Sequence, residues 1–171
     1  MPGRASRRIF VRVLGNLLDG GPCEAYNSDL KIRIPANGQF TYPDALVLCG
    51  DPELFEGRDD VALNPVLIAE VWSRSTKTYD RGEKFRLYRS IPSLLEYLMV
   101  SQDEYFVEQW TLKDWRWTLA EYKTSESTME LVSASARIAI ADIYRGAERF
   151  WRGEHGSVSS DPGQATHLHT E

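Results

Sequence analysis

The first hydrophobic pattern of the chain is helical. The apolar positions are Phe10, Val13, Leu14, Leu17 and Leu18, at intervals of one, three and four. This spacing predicts an amphipathic helix over residues 4–19, which the Gly-Gly-Pro sequence at 20–22 ends. Arg4, Arg8 and Arg12 lie four apart on one stripe of this helix. We interpret that stripe as a solvated face, with phosphate contact as the lesser alternative.

Strand patterns follow the helix. Residues 23–34 end in strict alternation of apolar and polar positions, which is typical of a sheet with one wet face. A Pro-Ala-Asn-Gly turn at 35–38 leads to a return strand at 42–49. After an acidic loop at 50–64, residues 65–73 (PVLIAEVWS) are almost continuously apolar. That run predicts a central strand covered on both faces.

The rest of the chain continues with one helix and more strands. The predicted elements are a helix at 78–90, a buried strand at 95–100, a hairpin of strands at 104–111 and 115–123 around Lys113-Asp114, and a short strand with a final helical turn within 129–144. After Trp151 the composition turns to Gly, Ser, Asp, Thr and His, which is typical of disordered segments. We therefore expect a single domain over residues 1–152 and a disordered tail over 153–171. The element order predicts an α/β protein with a central mixed sheet and helices packed on it.

The composition narrows the possible chemistry. A chain of 171 residues is long enough for one well-covered core. Two cysteines are too few for a disulfide framework, and all three histidines lie at or after residue 155. A Ser-His-Asp triad, a Cys-His pair or a zinc centre would need histidine in the folded body. Carboxylate and lysine chemistry remains.

The apolar runs of the chain indicate whether it has a transmembrane helix or a signal peptide. No run is long enough for a transmembrane helix. The basic start and the apolar stretch after it are weakly similar to a signal peptide, but Arg12 and Asn16 interrupt the stretch and no small-residue cleavage site follows. We expect a cytoplasmic protein.

The charge is unevenly distributed along the chain. A net charge of -5 does not indicate a nucleic-acid-binding protein. Residues 51–60 are acidic, whereas residues 74–89 hold six basic side chains against Asp80 and Glu83. Phosphate binding depends on local charge, so DNA remains compatible with the acidic total.

Glu70 interrupts the apolar run of the strand predicted to be central. An ionised carboxylate is costly to bury unless a cation, a hydrogen-bond donor or a cleft faces it. With a period of two, Val66, Ile68 and Trp72 share its face, and Glu70 falls toward the carboxyl end of the strand. A structural salt bridge with an arginine and a functional carboxylate explain the strand pattern equally well.

Asp44, Asp80 and Lys84 carry weaker signals. Asp44 follows Pro43 at the head of a strand, where Pro-Asp is a common turn element. Asp80 and Lys84 stand four apart on a helix, the spacing of an ordinary surface ion pair. A short Ser/Thr-rich connection joins the strand of Glu70 to this helix, so the first turns of the helix are expected near Glu70. The basic residues around the same place are Arg74, Lys77 and Arg81.

Together these residues are compatible with a metal-dependent hydrolytic site. Asp44 and Glu70, from adjacent strands, can hold an oxygen-preferring divalent cation, with Mg²⁺ as the default and Mn²⁺ as the alternative. A bound water made more acidic could attack a phosphodiester. Lys84 would position that water or neutralise the developing charge.

Four short motifs occur in order along the chain: PDALVLC, EVWSRST, YDRGEK and EYLMV. Their content and spacing closely resemble the Uma-two (Uma2) family of restriction-endonuclease-like proteins, which is placed in the PD-(D/E)XK nuclease superfamily. The match runs from about Asn16 to Tyr122 and includes NSDLKIRIP as the family's second strand. The resemblance implies a restriction-endonuclease-like α+β fold, with a central mixed sheet flanked by helices and a C-terminal antiparallel hairpin. It also implies a metal-dependent DNA endonuclease.

The resemblance assigns roles residue by residue. Asp44 corresponds to the first acid of the motif and Glu70 to the second. The lysine expected two residues after Glu70 is replaced by Trp72, so Lys84 on the following helix is the candidate catalytic lysine. The residues on further family-motif positions, which we assign a supporting role, are Asp80, Ser73 and Asp29.

Two departures from the family pattern leave other hypotheses open. Arg74 stands where the family has the proline of Ser-Pro-Ser-Thr. Family members also begin well before the position of Met1, with a helical segment and a hairpin that carries another glutamate. The alternative to an endonuclease is therefore an inactive or truncated remnant that binds DNA or a partner protein. A purely structural partner protein is the third hypothesis.

The implied partner is DNA, with Arg74, Lys77 and Arg81 as candidate nucleic-acid-binding residues. Many nucleases of the superfamily act as dimers, so a homodimer is a further expectation. Candidate contacts on the hairpin are Trp110, Trp115 and Trp117, although aromatic cross-strand pairing explains them more simply.

Overall fold

A computed structural model describes residues 2–73 and 76–151 of the chain. Its helical elements are α1 (Pro2–Leu18), α2 (Lys77–Tyr79), a π-helical turn (Asp80–Lys84), α3 (Phe85–Tyr88), a 3₁₀ turn (Val132–Ala134), α4 (Ile140–Tyr144) and a second 3₁₀ turn (Glu148–Phe150). Its strands are β1 (Cys23–Asn27), β2 (Lys31–Arg33), β3 (Phe40–Thr41), β4 (Ala45–Cys49), β5 (Val61–Ala62), β6 (Leu67–Trp72), β7 (Glu96–Ser101), β8 (Val107–Lys113), β9 (Arg116–Tyr122), β10 (Thr128–Leu131) and β11 (Ala136–Ala139).

The main sheet has six strands in the order β1, β4, β6, β7, β8, β9. The β6–β7 pair is parallel and the other pairs are antiparallel. All six residues of β6 are buried. The predicted mixed sheet, with a central strand covered on both faces, is therefore confirmed.

Each face of the main sheet is covered by different elements. On one face, α1, α4 and the β10–β11 pair enclose a core that includes Leu14 and Ile143. On the other face, the continuous helix formed by α2, the π-helical turn and α3 packs through Phe85 and Tyr88. The small sheet β3–β2–β5 closes the same side through Ile32. This second face is the one on which Glu70 lies.

The prediction of one strand over residues 23–34 is wrong. A turn divides it, because the Asn27 side-chain oxygen accepts a hydrogen bond from the Asp29 N–H and the Asn27 carbonyl accepts one from the Leu30 N–H. The first half pairs with β4, and the second half turns away into the small sheet. The predicted turn at 35–38 is confirmed, with Gly38 at a φ of 72°, but it joins β2 to the two-residue strand β3.

The C-terminal half follows the predicted order with one change. The hairpin is confirmed as β8 and β9, joined at Asp114 and Trp115, which both have positive φ. Residues 129–144, predicted as a short strand and a helical turn, contain two paired strands before α4. They are joined through Ser135 at a φ of 52°, a turn conformation that residue type did not signal.

The hairpin tryptophans do not pair with one another across the strands. Trp110 lies opposite Leu119. The rings of Trp110 and Trp117 instead pack on Phe85, at centroid distances of 4.9 and 5.1 Å. Trp115 is 95% exposed at the tip of the hairpin. Of the three, Trp115 is the one whose exposure suits a dimer contact, and the homodimer remains a prediction.

Cys23 and Cys49 form a disulfide between directly opposed residues of β1 and β4. Two cysteines gave no sign in the sequence that they would face each other, because the pairing depends on the register of the two strands. Within the described part of the chain, no helix is both long enough and apolar enough to span a bilayer. The tail predicted over residues 153–171 lies outside the described residues.

Candidate active site

Glu70 is a buried carboxylate in the middle of the main sheet. It lies on β6 with Ile68 and Trp72 on the same face, and it is 2% exposed. The Glu70 Oε1 atom accepts a hydrogen bond of 2.6 Å from the Tyr88 hydroxyl, and Oε2 lies 3.1 Å from Lys84 Nζ. The partners of Glu70 are therefore a lysine and a tyrosine. They are not the arginine of the salt bridge that the strand pattern allowed.

The environment of Glu70 changes its acidity. Burial raises its pKa to about 7, the nearby Lys84 charge partly opposes this rise, and the Asp44 charge adds to it. A bound cation would stabilise two neighbouring carboxylates that are largely removed from water, because it offsets their charge.

Asp44 lies beside Glu70, although its sequence context suggested an ordinary turn. The β4–β6 register places Ala45 opposite Ala69, which brings Asp44 next to Glu70. Its Oδ2 atom accepts a hydrogen bond of 2.8 Å from the Val71 N–H. Its side chain therefore contacts the neighbouring strand. Burial raises the pKa of Asp44, against the opposing effects of this N–H and of the Arg7 charge.

Arg7 completes the surroundings of Asp44. Its Nε atom lies 2.9 Å from Asp44 Oδ1, and half of its side chain is exposed. Arg7 was not predicted from the sequence, because the arginine stripe on α1 consists of Arg4, Arg8 and Arg12. No local pattern shows that this arginine reaches across to the start of β4.

The helix after β6 presents a stripe of three side chains, Asp80, Lys84 and Tyr88, toward Glu70. Lys84 Nζ lies 3.1 Å from both Glu70 Oε2 and Asp80 Oδ1. Asp80 and Lys84 form the ion pair that their spacing allowed, but it is not an ordinary surface pair, since their side chains are 6% and 24% exposed. Burial lowers the pKa of Lys84, but the charges of Glu70 and Asp80 outweigh it and leave the pKa above its ordinary value.

The π-helical turn lies at this stripe. Such turns are rare and recur at functional sites. The hydroxyl of the buried Tyr97 donates to the carbonyl oxygen of Asp80 within it, at 3.0 Å. Spacing by four in the sequence could have pointed to Tyr88, since it follows Lys84 as Lys84 follows Asp80, but many helical residues share that spacing.

The other predicted residues lie around the cluster. Ser73 follows β6 directly, and its N–H donates to the Thr76 hydroxyl at 3.1 Å. Arg74 lies outside the described residues. Lys77 Nζ lies over the rings of Trp72 and Phe106, at 4.5 and 4.6 Å from their centroids.

Arg81 pairs with a buried acid. Its Nε atom lies 3.2 Å from Glu108 Oε2, while its own side chain is 44% exposed. Glu108 is fully buried, and within the described part of the chain neither carboxylate oxygen has a hydrogen bond of good geometry. Burial raises the pKa of Glu108, and the charges of Arg81 and Lys77 oppose it. The sequence gave no signal for Glu108, which lies in an alternating strand.

The two carboxylates form a donor set suited to Mg²⁺ or Mn²⁺. Among the described residues, no group of three or more His, Cys, Asp or Glu side chains could hold a metal ion. Mg²⁺ commonly uses one or two carboxylates and completes its shell with water and substrate phosphates. Asp44 and Glu70 fit that pattern, whereas Asp80 joins the pair through Lys84.

In the absence of a divalent cation, the free energy of unfolding is expected to fall as the pH rises through about 7. The pKa of Glu70 is about 7 in the folded chain against an ordinary value of 4.5, so the folded state binds more protons between these values. The stabilisation is complete below pH 4.5, and its loss above the folded pKa amounts to about 3 kcal/mol.

Urea unfolding of the parent and of Glu70→Gln at several pH values measures this effect. Asp44 and Glu108 shift in the same direction as Glu70, so the difference between the two proteins isolates Glu70. An identical pH dependence in both proteins would contradict the assignment.

Comparisons with known proteins agree with this fold. Residues 3–141 match the model of the Uma2 family, described as "Putative restriction endonuclease". The uncharacterized protein slr1290 of Synechocystis sp. (strain ATCC 27184 / PCC 6803 / Kazusa) is 42% identical over 132 residues, which are 77% of this chain and 68% of that protein. The uncharacterized protein sll1609 of the same organism is 35% identical over 108 residues, 63% of this chain and 61% of that protein.

A solved structure is similar in fold. It is the crystal structure of "a putative nuclease belonging to DUF820" from Anabaena variabilis ATCC 29413, with a TM-score of 0.68 and 13% sequence identity over 86% of this chain and 82% of that one. At this identity the likeness concerns the fold, and it confirms the predicted α+β class with a central mixed sheet. Because the family model covers most of the chain, the protein belongs to the Uma2 family of restriction-endonuclease-like proteins.

Proposed function

We propose that this chain is a metal-dependent DNA endonuclease that hydrolyses phosphodiester bonds. The observation that supports it best is the meeting of Asp44, Glu70 and Lys84, from three separate elements, in one buried cluster. Two neighbouring acids and one lysine, without histidine, suit phosphate hydrolysis through a divalent cation. Membership of the family adds the nuclease reaction and the DNA substrate as expectations.

The acids and the lysine have different roles in the proposed reaction. Asp44 and Glu70 would hold Mg²⁺ or Mn²⁺, which when bound supplies an acidified water and neutralises charge on the phosphate. Lys84 stays protonated because its pKa is raised. It therefore acts as a hydrogen-bond donor and positive charge toward the water or the phosphate, and is unsuited to act as a general base.

Basic side chains beside the cluster are proposed to contact the DNA backbone. Lys77 and Arg81 lie on the first turns of the helix that carries Lys84, and the Arg81 side chain is 44% exposed. Lys123 is proposed as a further contact, because its Nζ lies 5.3 Å from the centroid of the Phe106 ring, which Lys77 also contacts. Arg74, between β6 and this helix in the sequence, is proposed for the same role.

The test is cleavage of supercoiled plasmid, linear duplex and single-stranded DNA by the purified chain. Cleavage is expected with millimolar Mg²⁺ or Mn²⁺ and is expected to disappear with EDTA, because the two acids cannot neutralise the phosphate without the cation. RNA of the same sequence, incubated in parallel, shows whether the substrate is DNA specifically.

The charge-removing variants Lys77→Gln and Arg81→Gln refine this test. Phosphate contacts act mainly in binding, so a raised KM with little change in kcat is expected. A folded parent that binds DNA but never cuts it, with either metal, would instead favour the inactive remnant.

A further inference from the structure

The hydroxyl of Tyr88 is directed at the carboxylate of Glu70 from inside the core. Tyr88 is 1% exposed, and its ring packs on Tyr97 at a centroid distance of 5.6 Å. The contact with Glu70 Oε1, at 2.6 Å, has the length of a charge-assisted hydrogen bond from a hydroxyl to a carboxylate. Burial and the Glu70 charge raise the pKa of Tyr88 far above its ordinary value, so the phenol keeps its proton and donates it.

Two donors from the same helix each contact one oxygen of the Glu70 carboxylate. Tyr88 donates to Oε1, and Lys84 faces Oε2 while also contacting Asp80. A carboxylate held at both oxygens cannot rotate freely about its last bond, and that rotation is otherwise broad.

We propose that Tyr88 is a positioning residue, whose hydroxyl fixes the Glu70 carboxylate in the orientation that shares a divalent cation with Asp44. This inference rests on the proposed function. Residues that hold a metal ligand in place contribute to metal affinity without touching the metal, because they remove the cost of orienting the ligand. A purely structural role would make the hydrogen bond important for folding and irrelevant to the cation.

The experiment is a titration of the purified chain with Mn²⁺ at pH 8, followed by electron paramagnetic resonance. At this pH Glu70 is mostly ionised in the parent. Tyr88→Phe removes one oxygen atom, and it is expected to weaken Mn²⁺ binding by about tenfold. At saturating Mn²⁺ we also expect a lower kcat for DNA cleavage with an unchanged KM for DNA.

Tyr144→Phe is the matched control. Tyr144 is also 1% exposed, and its hydroxyl donates to the Phe106 carbonyl at 2.7 Å, but it belongs to the core on the opposite face of the sheet. This variant is expected to lose thermal stability and to keep the Mn²⁺ affinity of the parent. An equal loss of Mn²⁺ affinity in both variants would show a general effect of destabilisation and would overturn the proposal.

The outcomes separate this inference from the function on which it rests. A parent that binds no Mn²⁺ overturns both, whereas a parent that binds it and a Tyr88→Phe variant of equal affinity overturn the positioning role alone. If Tyr88→Phe does not fold, 4-aminophenylalanine at position 88 keeps the ring and a weaker donor. A smaller but measurable loss of affinity is then expected, and parental affinity would overturn the proposal.

Discussion

Replacement of Glu70 by glutamine, or of Asp44 by asparagine, is expected to reduce DNA cleavage by at least about 10³-fold while the chain remains folded. Each change keeps the shape of the side chain and removes the negative charge that would hold the cation. The hydrogen bonds from Tyr88 to Glu70 and from the Val71 N–H to Asp44 can still be accepted by an amide oxygen. For this reason the fold should survive.

The measurement combines cleavage rates with thermal unfolding in the presence and absence of millimolar Mg²⁺ or Mn²⁺. A cation that binds the native state raises the melting temperature of the parent by mass action, and both variants should lose that rise. Glu83→Gln is the matched control, since Glu83 lies on the same helix with its side chain 58% exposed and pairs with Arg86. If Glu70→Gln cuts as fast as the parent, the catalytic assignment is wrong.

The second large effect concerns stability and two fully buried carboxylates outside the cluster. Glu96 and Glu108 lie on the neighbouring strands β7 and β8, on opposite faces of the sheet, and both are 0% exposed. Glu96 accepts hydrogen bonds from Gln109 at 2.7 Å, from the N–H groups of Val132 and Ser133 at 3.1 and 2.9 Å, and from the Ser133 hydroxyl. It thus attaches the turn between β10 and β11 to the main sheet.

Glu96→Leu is expected to lower the free energy of unfolding by about 3–5 kcal/mol, because it leaves several buried donors without an acceptor. Glu108→Leu is expected to leave stability unchanged or to raise it by about 1–2 kcal/mol. Its carboxylate lacks hydrogen bonds of good geometry among the described residues, and the exposed part of Arg81 can be solvated after the change.

Urea unfolding at one pH, with the slope of the transition compared among the proteins, provides the measurement. The two variants make the same chemical change at equal burial, so each serves as the control for the other. Equal losses of stability would show that burial of the charge decides the cost, and that the hydrogen bonds of Glu96 do not.

Several features of the site could be predicted from the sequence. A charged residue in an otherwise apolar strand is conspicuous, so the strand pattern alone indicates Glu70. The short connection after β6 brings the following helix near Glu70, so Asp80 and Lys84 were expected close to it. Lys84 contacts Glu70, and Asp80 contacts Lys84. The DNA-binding role of the basic residues, the homodimer and the cytoplasmic location remain predictions.

The sequence by itself determined the local elements, since periodicity and turn residues act within a few positions along the chain. It also made Glu70 stand out. The tertiary structure alone decided the strand register that brings Asp44 beside Glu70, the reach of Arg7 from α1, and the contact of Tyr88 with Glu70. These contacts join residues 18 to 37 positions apart, and their formation depends on how separate elements pack, which no local pattern contains.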